Sequence, residues 1–379
     1  MCRIIWSAVL LFSCLLTRGL GSAMARPLEQ VVYYHSVGPN GDSLLLSGKV
    51  SVPRGKQSKG LILLPHYTIS ANKEAPSQYT SYEAKKFRDE YVLVMPDYIG
   101  YGATAELFHP YLHGSLTAQN CVDMLFASRS TIDSLCPGAY TDSIYIVGFS
   151  QGAATALWIL RLLEERYSDR IHVMACAAGS GPYDVAATYD VAVSENKVGM
   201  PMVVPMLIMG TSEAYNLHLR PEDFFSPALN KVYEKYIVSK KYTVSSLYSR
   251  MSNHRVDYWM TAAGMDKSQP ETKRMYEGLL RSSLVHYPLD NSAEEAVICP
   301  SWRPKAPVYI FHSTADDIVT FRCAEHLRRC WSDLPNVTYD FGNYGGHLRS
   351  LYTFFPRAYS RIRSAANPSA GQSMKGTSK

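Results

Sequence analysis

The stretch Gly148-Phe149-Ser150-Gln151-Gly152 constrains this chain more than any other, because it sets a serine between two glycines where a strand gives way to a helix. Upstream, Ser143-Ile144-Tyr145-Ile146-Val147 is a β-branched and aromatic run of the kind that fills a buried strand. Downstream, Ala153-Ala154-Thr155-Ala156-Leu157-Trp158-Ile159-Leu160 is strongly helix-forming. A backbone that changes from strand to helix in so few residues takes a strained turn, and flanking glycines remove the side chains that would collide there. The serine hydroxyl is then pushed out at the end of the strand, beside a helix N-terminus whose partial positive charge favours a developing oxyanion. A glycine-bracketed serine alone is an ordinary turn as often as a site, so Ser150 has to find partners.

A free hydroxyl is a poor nucleophile at neutral pH; it needs a base, and the base needs an acid to orient it. Toward the C-terminus, Pro307-Val308-Tyr309-Ile310-Phe311 reads as a strand that runs into a polar loop holding Asp316 and Asp317. Residues 323–331 read as a helix, residues 337–341 as another strand, and Gly342-Asn343-Tyr344-Gly345-Gly346-His347 as a glycine-rich loop that delivers a histidine. Of the 11 histidines, only His326 and His347 lie beyond Asp316, and His326 falls inside the predicted helix. His347 is therefore the candidate base and Asp316 the candidate acid. Asp317 is a competitor for the acid, in which case Asp316 would cap the helix that follows.

Tyr91-Val92-Leu93-Val94-Met95-Pro96 leads into Asp97-Tyr98-Ile99-Gly100-Tyr101-Gly102, an Asp-x-x-Gly-x-Gly turn after a strand. With this turn, the elbow around Ser150 and the order serine, acid, histidine, the chain resembles the α/β-hydrolase superfamily. Residues 96–102 are also similar to the Pro-Asp-Tyr-x-Gly-x-Gly segment of secreted bacterial and fungal lipases and esterases. The resemblance covers residues 43–181 and 301–362 and leaves the middle of the chain unmatched. It implies a mostly parallel sheet with helices on both faces and catalysis by Ser150, Asp316 and His347. It also implies an oxyanion hole made of two backbone N–H groups, those of Gln151 and of Tyr67, which follows the strand at residues 60–65. Many relatives carry His-Gly where this chain has His66-Tyr67, so Tyr67 would narrow the acyl pocket or add its own hydroxyl. Some hydrolases place the acid after the sixth strand, here residues 171–176, which makes Asp184 a further competitor. Asp97 reads as structural, a carboxylate accepting backbone N–H groups at a tight turn.

The rest of the core alternates strands with helices, as a parallel sheet requires: residues 43–52 and 60–65 read as neighbouring strands, residues 116–130 as a crossover helix. Between Pro182 and Pro300 the strand logic fails and the pattern turns helical, with starts at Pro221-Glu222-Asp223 and Pro270-Glu271-Thr272. This segment reads as a cap inserted between the sixth strand and the acid-bearing strand, set above the elbow and choosing the substrate. Its most apolar run, residues 203–209, offers either a lid surface for peripheral membrane contact or a face packed on the body. The polar tail from Ser364 reads as disordered.

The N-terminus carries an export signal: Arg3, an apolar stretch over residues 4–16, and small residues suited to cleavage after Ala23 or Ala25. About 13 apolar residues fall short of the roughly 20 that span a bilayer. A lipobox around Cys14 is a weaker reading. Removal of residues 1–25 leaves six of the eight cysteines, and oxidising export permits disulfides whose pairing the spacing does not choose. The 38 basic and 33 acidic residues form no stripe, so a nucleic-acid partner is not implied, and no Cys or His spacing resembles a metal site.

The expected protein is a secreted carboxylic-ester hydrolase acting on a small-molecule or lipid ester, with no cofactor or metal. A serine peptidase of the prolyl-oligopeptidase type would use the same three residues, but its paired glutamates and propeller domain are not evident. A non-catalytic relative that binds ligands would usually have lost the serine or the histidine.

Overall fold

In the computed structural model, which describes residues 26–55, 57–286 and 297–366, eight strands join in one sheet of order β1-β2-β4-β3-β5-β6-β7-β8. These are β1 (Leu28–Val37), β2 (Ser43–Val52), β3 (Leu61–Leu63), β4 (Val92–Pro96), β5 (Ser143–Phe149), β6 (His172–Gly179), β7 (Val308–Ser313) and β8 (Val337–Gly342). Strands β1, β2 and β4 pair antiparallel; from β4 through β3 to β8 every pairing is parallel. The helices of the body are α1 (Tyr82–Phe87), α2 (Gly114–Leu135) and α3 (Gln151–Arg166). Beyond β6 come α4 (Val185–Ser194), α5 (Val203–Tyr215), α6 (Pro221–Phe224), α7 (Pro227–Tyr233), α8 (Val244–Arg250), α9 (Val256–Trp259), α10 (Ala262–Met265) and α11 (Pro270–Ser282). After β7 the chain forms α12 (Arg322–Trp331), and after β8 it forms α13 (His347–Ala366).

Side-chain alternation decides which helix covers which face. Ile144 and Ile146 of β5 join the core under α2 and α3, with Ala153, Ala156 and Leu157. Tyr145, Val147 and Phe149 of the same strand join the opposite core, with Phe87 of α1 and Phe354, Phe355 and Ile362 of α13. The central strands β3, β4, β5 and β7 are thus buried on both faces, which is why they read as apolar runs.

Two expectations are corrected. β2 and β3 are not neighbours, because β4 pairs with both and lies between them. A strand reached through α1 enters the sheet in the gap, and such long-range pairing leaves no mark in the connecting turn. The C-terminal helix also outruns its expected end: Ser364 to Ala366 continue α13, and the rest of the expected tail lies outside the described residues, as do the export signal and Cys14. Strand β1, paired antiparallel with β2, adds an edge strand beyond those expected.

Helices α4 to α11 carry a core of their own, in which Tyr189, Val204, Met206, Ile208, Leu229 and Leu279 are buried. The apolar run 203–209 forms the first two turns of α5 and packs largely into that core. A disulfide joins Cys299 to Cys330 of α12, while Cys121, Cys136, Cys176 and Cys323 are free thiols.

Candidate active site

Strand β5 ends at Phe149 and α3 begins at Gln151, so Ser150 alone makes the turn, with φ 56° and ψ −123°. A side chain in that conformation is strained, and such strain clusters where a functional group is held out. The flanking glycines are there for contact: a Cβ on Gly148 would meet the Gly152 carbonyl oxygen at 2.1 Å, and a Cβ on Gly152 would meet the Pro65 carbonyl oxygen at 2.2 Å.

The Ser150 hydroxyl is directed at His347 Nε2, 2.9 Å away, and His347 Nδ1 donates to Asp316 Oδ2 at 2.7 Å. His347 is the first residue of α13 and Asp316 follows β7, so the three groups come from the C-terminal ends of β5, β7 and β8. Ser150 and His347 are buried, as is the side chain of Asp316, and Asp316 is further fixed by Ile318 N–H (3.0 Å) and Val319 N–H (2.8 Å), both donating to Oδ1. Burial pushes the Asp316 carboxyl up, but the charge and hydrogen bond of His347, the nearby His312 and the Val319 amide outweigh it and hold it below the usual carboxylate range. An ionised Asp316 keeps the proton on His347 Nδ1 and leaves Nε2 free to accept from Ser150.

The two competitors for the acid are engaged elsewhere. Asp317 Oδ1 accepts the backbone N–H of His347 at 2.8 Å, so it holds the start of α13 rather than the imidazole. Asp184 caps α4 through the Ala187 N–H (2.9 Å) and accepts from His326 Nδ1 at 2.8 Å. Asp97 takes the structural place expected of it, accepting from Ser47 Oγ (2.6 Å) and Ser77 N–H (2.8 Å).

Ser150 and His347 open into a cavity of about 440 Å³, walled by Tyr67, Tyr111, Val203, Leu207, Ile318 and Leu351 among others. A second cavity of about 270 Å³ shares Thr188, Met200, Val203, Leu207 and Ile318 with it and reaches the outer side of the acid loop. Tyr67 lines the first cavity as the oxyanion assignment requires, and the buried carboxyl of Glu83 lies near its backbone amide. Burial raises Glu83 to about 8, against smaller lowering contributions from Ser81 and that amide, and its Oε2 has no partner among the described residues. A carboxyl raised on folding favours the protonated form, so its stabilising effect is whole below about pH 4.5 and is lost as pH rises toward 8. Each pH unit of that elevation is worth about 1.4 kcal/mol. Glu83→Gln should therefore match the wild type in Tm at pH 4 and exceed it by at least about 2 °C at pH 8; differential scanning calorimetry at the two pH values checks this.

Two residues near the site left no signal in the sequence. His312, fully buried at the end of β7, stands 3.6 Å from Asp316 Oδ2 and donates from Nε2 to the Val319 carbonyl at 3.1 Å. His109 bonds to Gln151 from 42 residues away, a distance no local motif bridges. Among the described residues no group of His, Cys, Asp and Glu is arranged to hold a metal ion.

The strand order and the elbow after β5 are those of an α/β-hydrolase. Solved structures bear this out: the rice cell wall degrading esterase LipA from Xanthomonas oryzae superimposes with a TM-score of 0.71 at 19% identity, over 92% of each chain. Candida antarctica lipase A does so with a TM-score of 0.65 at 14% identity, over 90% of this chain and 78% of its own. No curated protein matches the chain at a significant level. Residues 81–369 match the family described as Secretory lipase, and the chain belongs to that family. It is a carboxylic ester hydrolase.

Proposed function

We propose that the protein is an exported serine hydrolase that cleaves esters of apolar acyl groups through an acyl-enzyme formed on Ser150. The observation that carries this reading is the unbroken series from Ser150 Oγ through His347 to Asp316, at 2.9 and 2.7 Å, opening into an apolar cavity. Ser150 attacks the ester carbonyl while His347 Nε2 takes its proton, and the same nitrogen returns the proton to the leaving alcohol. Asp316 holds the imidazole in one tautomer and stabilises the imidazolium that forms. Water, deprotonated in turn by His347, attacks the acyl-enzyme and frees the acid. The N–H groups of Gln151 and Tyr67 receive the oxyanion. Helices α4 to α11 act as the cap that selects the acyl group, and the cavity beside Ser150 receives it.

Export rests on the N-terminal signal together with the family's secretory character; among the described residues no helix is long and apolar enough to cross a membrane. The natural substrate is a lipid or small-molecule ester, and LipA's cell-wall esters are one source to try. The reading is tested by labelling with a fluorophosphonate probe, mapping the modified peptide, and assaying p-nitrophenyl esters from acetyl to palmitoyl beside feruloyl esters and aminoacyl-proline amides. Label on Ser150 and turnover of esters are expected. Hydrolysis of the amides alone would make the protein a peptidase.

A further inference from the structure

We infer that His109 is a positioning residue for acyl transfer, holding Gln151 so that its backbone N–H stays aimed at the oxyanion; this rests on the roles proposed above for Ser150 and Gln151. Gln151 is 2% exposed, and its side-chain amide nitrogen lies 2.7 Å from His109 Nε2. His109 Nδ1 donates to the Ile99 carbonyl at 2.7 Å, so its proton is on Nδ1 and Nε2 is the acceptor that the Gln151 amide needs. Burial drives His109 down to about 3, which keeps this neutral form, and the bond with it, through the whole neutral range.

The ring is held from several sides. It lies parallel to Tyr98 at 5.9 Å and packs against Tyr101 at 5.2 Å and Tyr111 at 5.8 Å. Gly100 of the Asp-x-x-Gly-x-Gly turn, at φ 90°, admits the His109 main chain so closely that a Cβ there would meet it at 2.8 Å. The turn that the sequence singled out therefore has a second office: it seats the histidine that backs the elbow. Lys240, carried by the insertion, fastens the same loop. Its ammonium donates to the carbonyls of Gly100 (2.6 Å), Ala105 (3.0 Å) and Leu107 and stands over the Tyr101 ring.

A donor displaced by about 1 Å can cost on the order of 100-fold in rate. His109→Ala should lower kcat for p-nitrophenyl butyrate by about 10- to 100-fold with KM changed less than about twofold. Gln151→Leu, which keeps His109, should lose a similar factor, and the double variant should be no slower than the worse single one. Multiplying losses, or an unchanged kcat in Gln151→Leu, would overturn the inference, and the second outcome does so even if His109→Ala fails to fold. Ser150→Ala, run alongside, separates this failure from failure of the nucleophile assignment: activity surviving there overturns the reading on which His109 depends, whereas an inactive Ser150→Ala beside a fully active Gln151→Leu overturns only the positioning role.

Discussion

Ser150→Ala should lower kcat by about 10⁶-fold and abolish fluorophosphonate labelling, while leaving Tm within a few degrees of the wild type. The residue occupies a strained backbone position at the head of α3, but its hydroxyl makes no cap bond to the helix; it is turned to His347 instead. Removing it deletes the atom that forms the covalent intermediate and leaves the oxyanion donors and the cavity in place. The activity that survives is what those donors and binding alone supply, about 10³- to 10⁴-fold over water. Burst kinetics with a p-nitrophenyl ester check both halves: the wild type should release a stoichiometric burst wherever deacylation is slow, and the variant none. Persistent labelling would remove Ser150 from the mechanism.

Asp316→Asn should cost about 10⁴-fold in kcat. The loss comes from a tautomer. In the wild type, Oδ1 is taken by the N–H groups of Ile318 and Val319 while Oδ2 faces His347 Nδ1. An asparagine would satisfy the same two amides with its oxygen, and its NH₂ would then point at Nδ1. The imidazole would have to turn its lone pair toward that NH₂ and carry its proton on Nε2, where it could no longer accept from Ser150. Asp317→Asn keeps an oxygen for the His347 backbone N–H and should cost less than about tenfold. Asp184→Asn should alter Tm more than kcat, since its partners are the first turn of α4 and His326. A panel of kcat values across the three variants assigns the acid; a large loss in Asp184→Asn with little in Asp316→Asn would reverse the assignment.

What could be read from the sequence follows from where the physics is local. The elbow is legible because a strained turn needs glycines at fixed offsets, and Gly148 and Gly152 prove to touch backbone. The loops bearing Asp316 and His347 are legible because each ends a short strand rich in β-branched and aromatic residues. The order of β2, β4 and β3 is not, since pairing between strands tens of residues apart is set by the whole sheet. The Cys299–Cys330 bond is hidden for the same reason: six cysteines permit many pairings, and only the fold brings these two together. Glu83 and His109 are not legible, because an acid in a charged segment and a lone histidine in a loop carry no periodic mark. Their burial beside Tyr67 and Gln151 is a tertiary fact.

The insertion leaves the sheet near Asp184 and returns near Cys299, and both places are fastened to α12. His326 of that helix binds Asp184 at the outgoing end, and Cys330 of the same helix is bonded to Cys299 at the returning end. One helix therefore ties both ends of the insertion, and it stands directly after the loop that carries Asp316. The insertion is in this way anchored at both its ends to the helix that follows the acid loop, so whatever loosens that helix disturbs both at once.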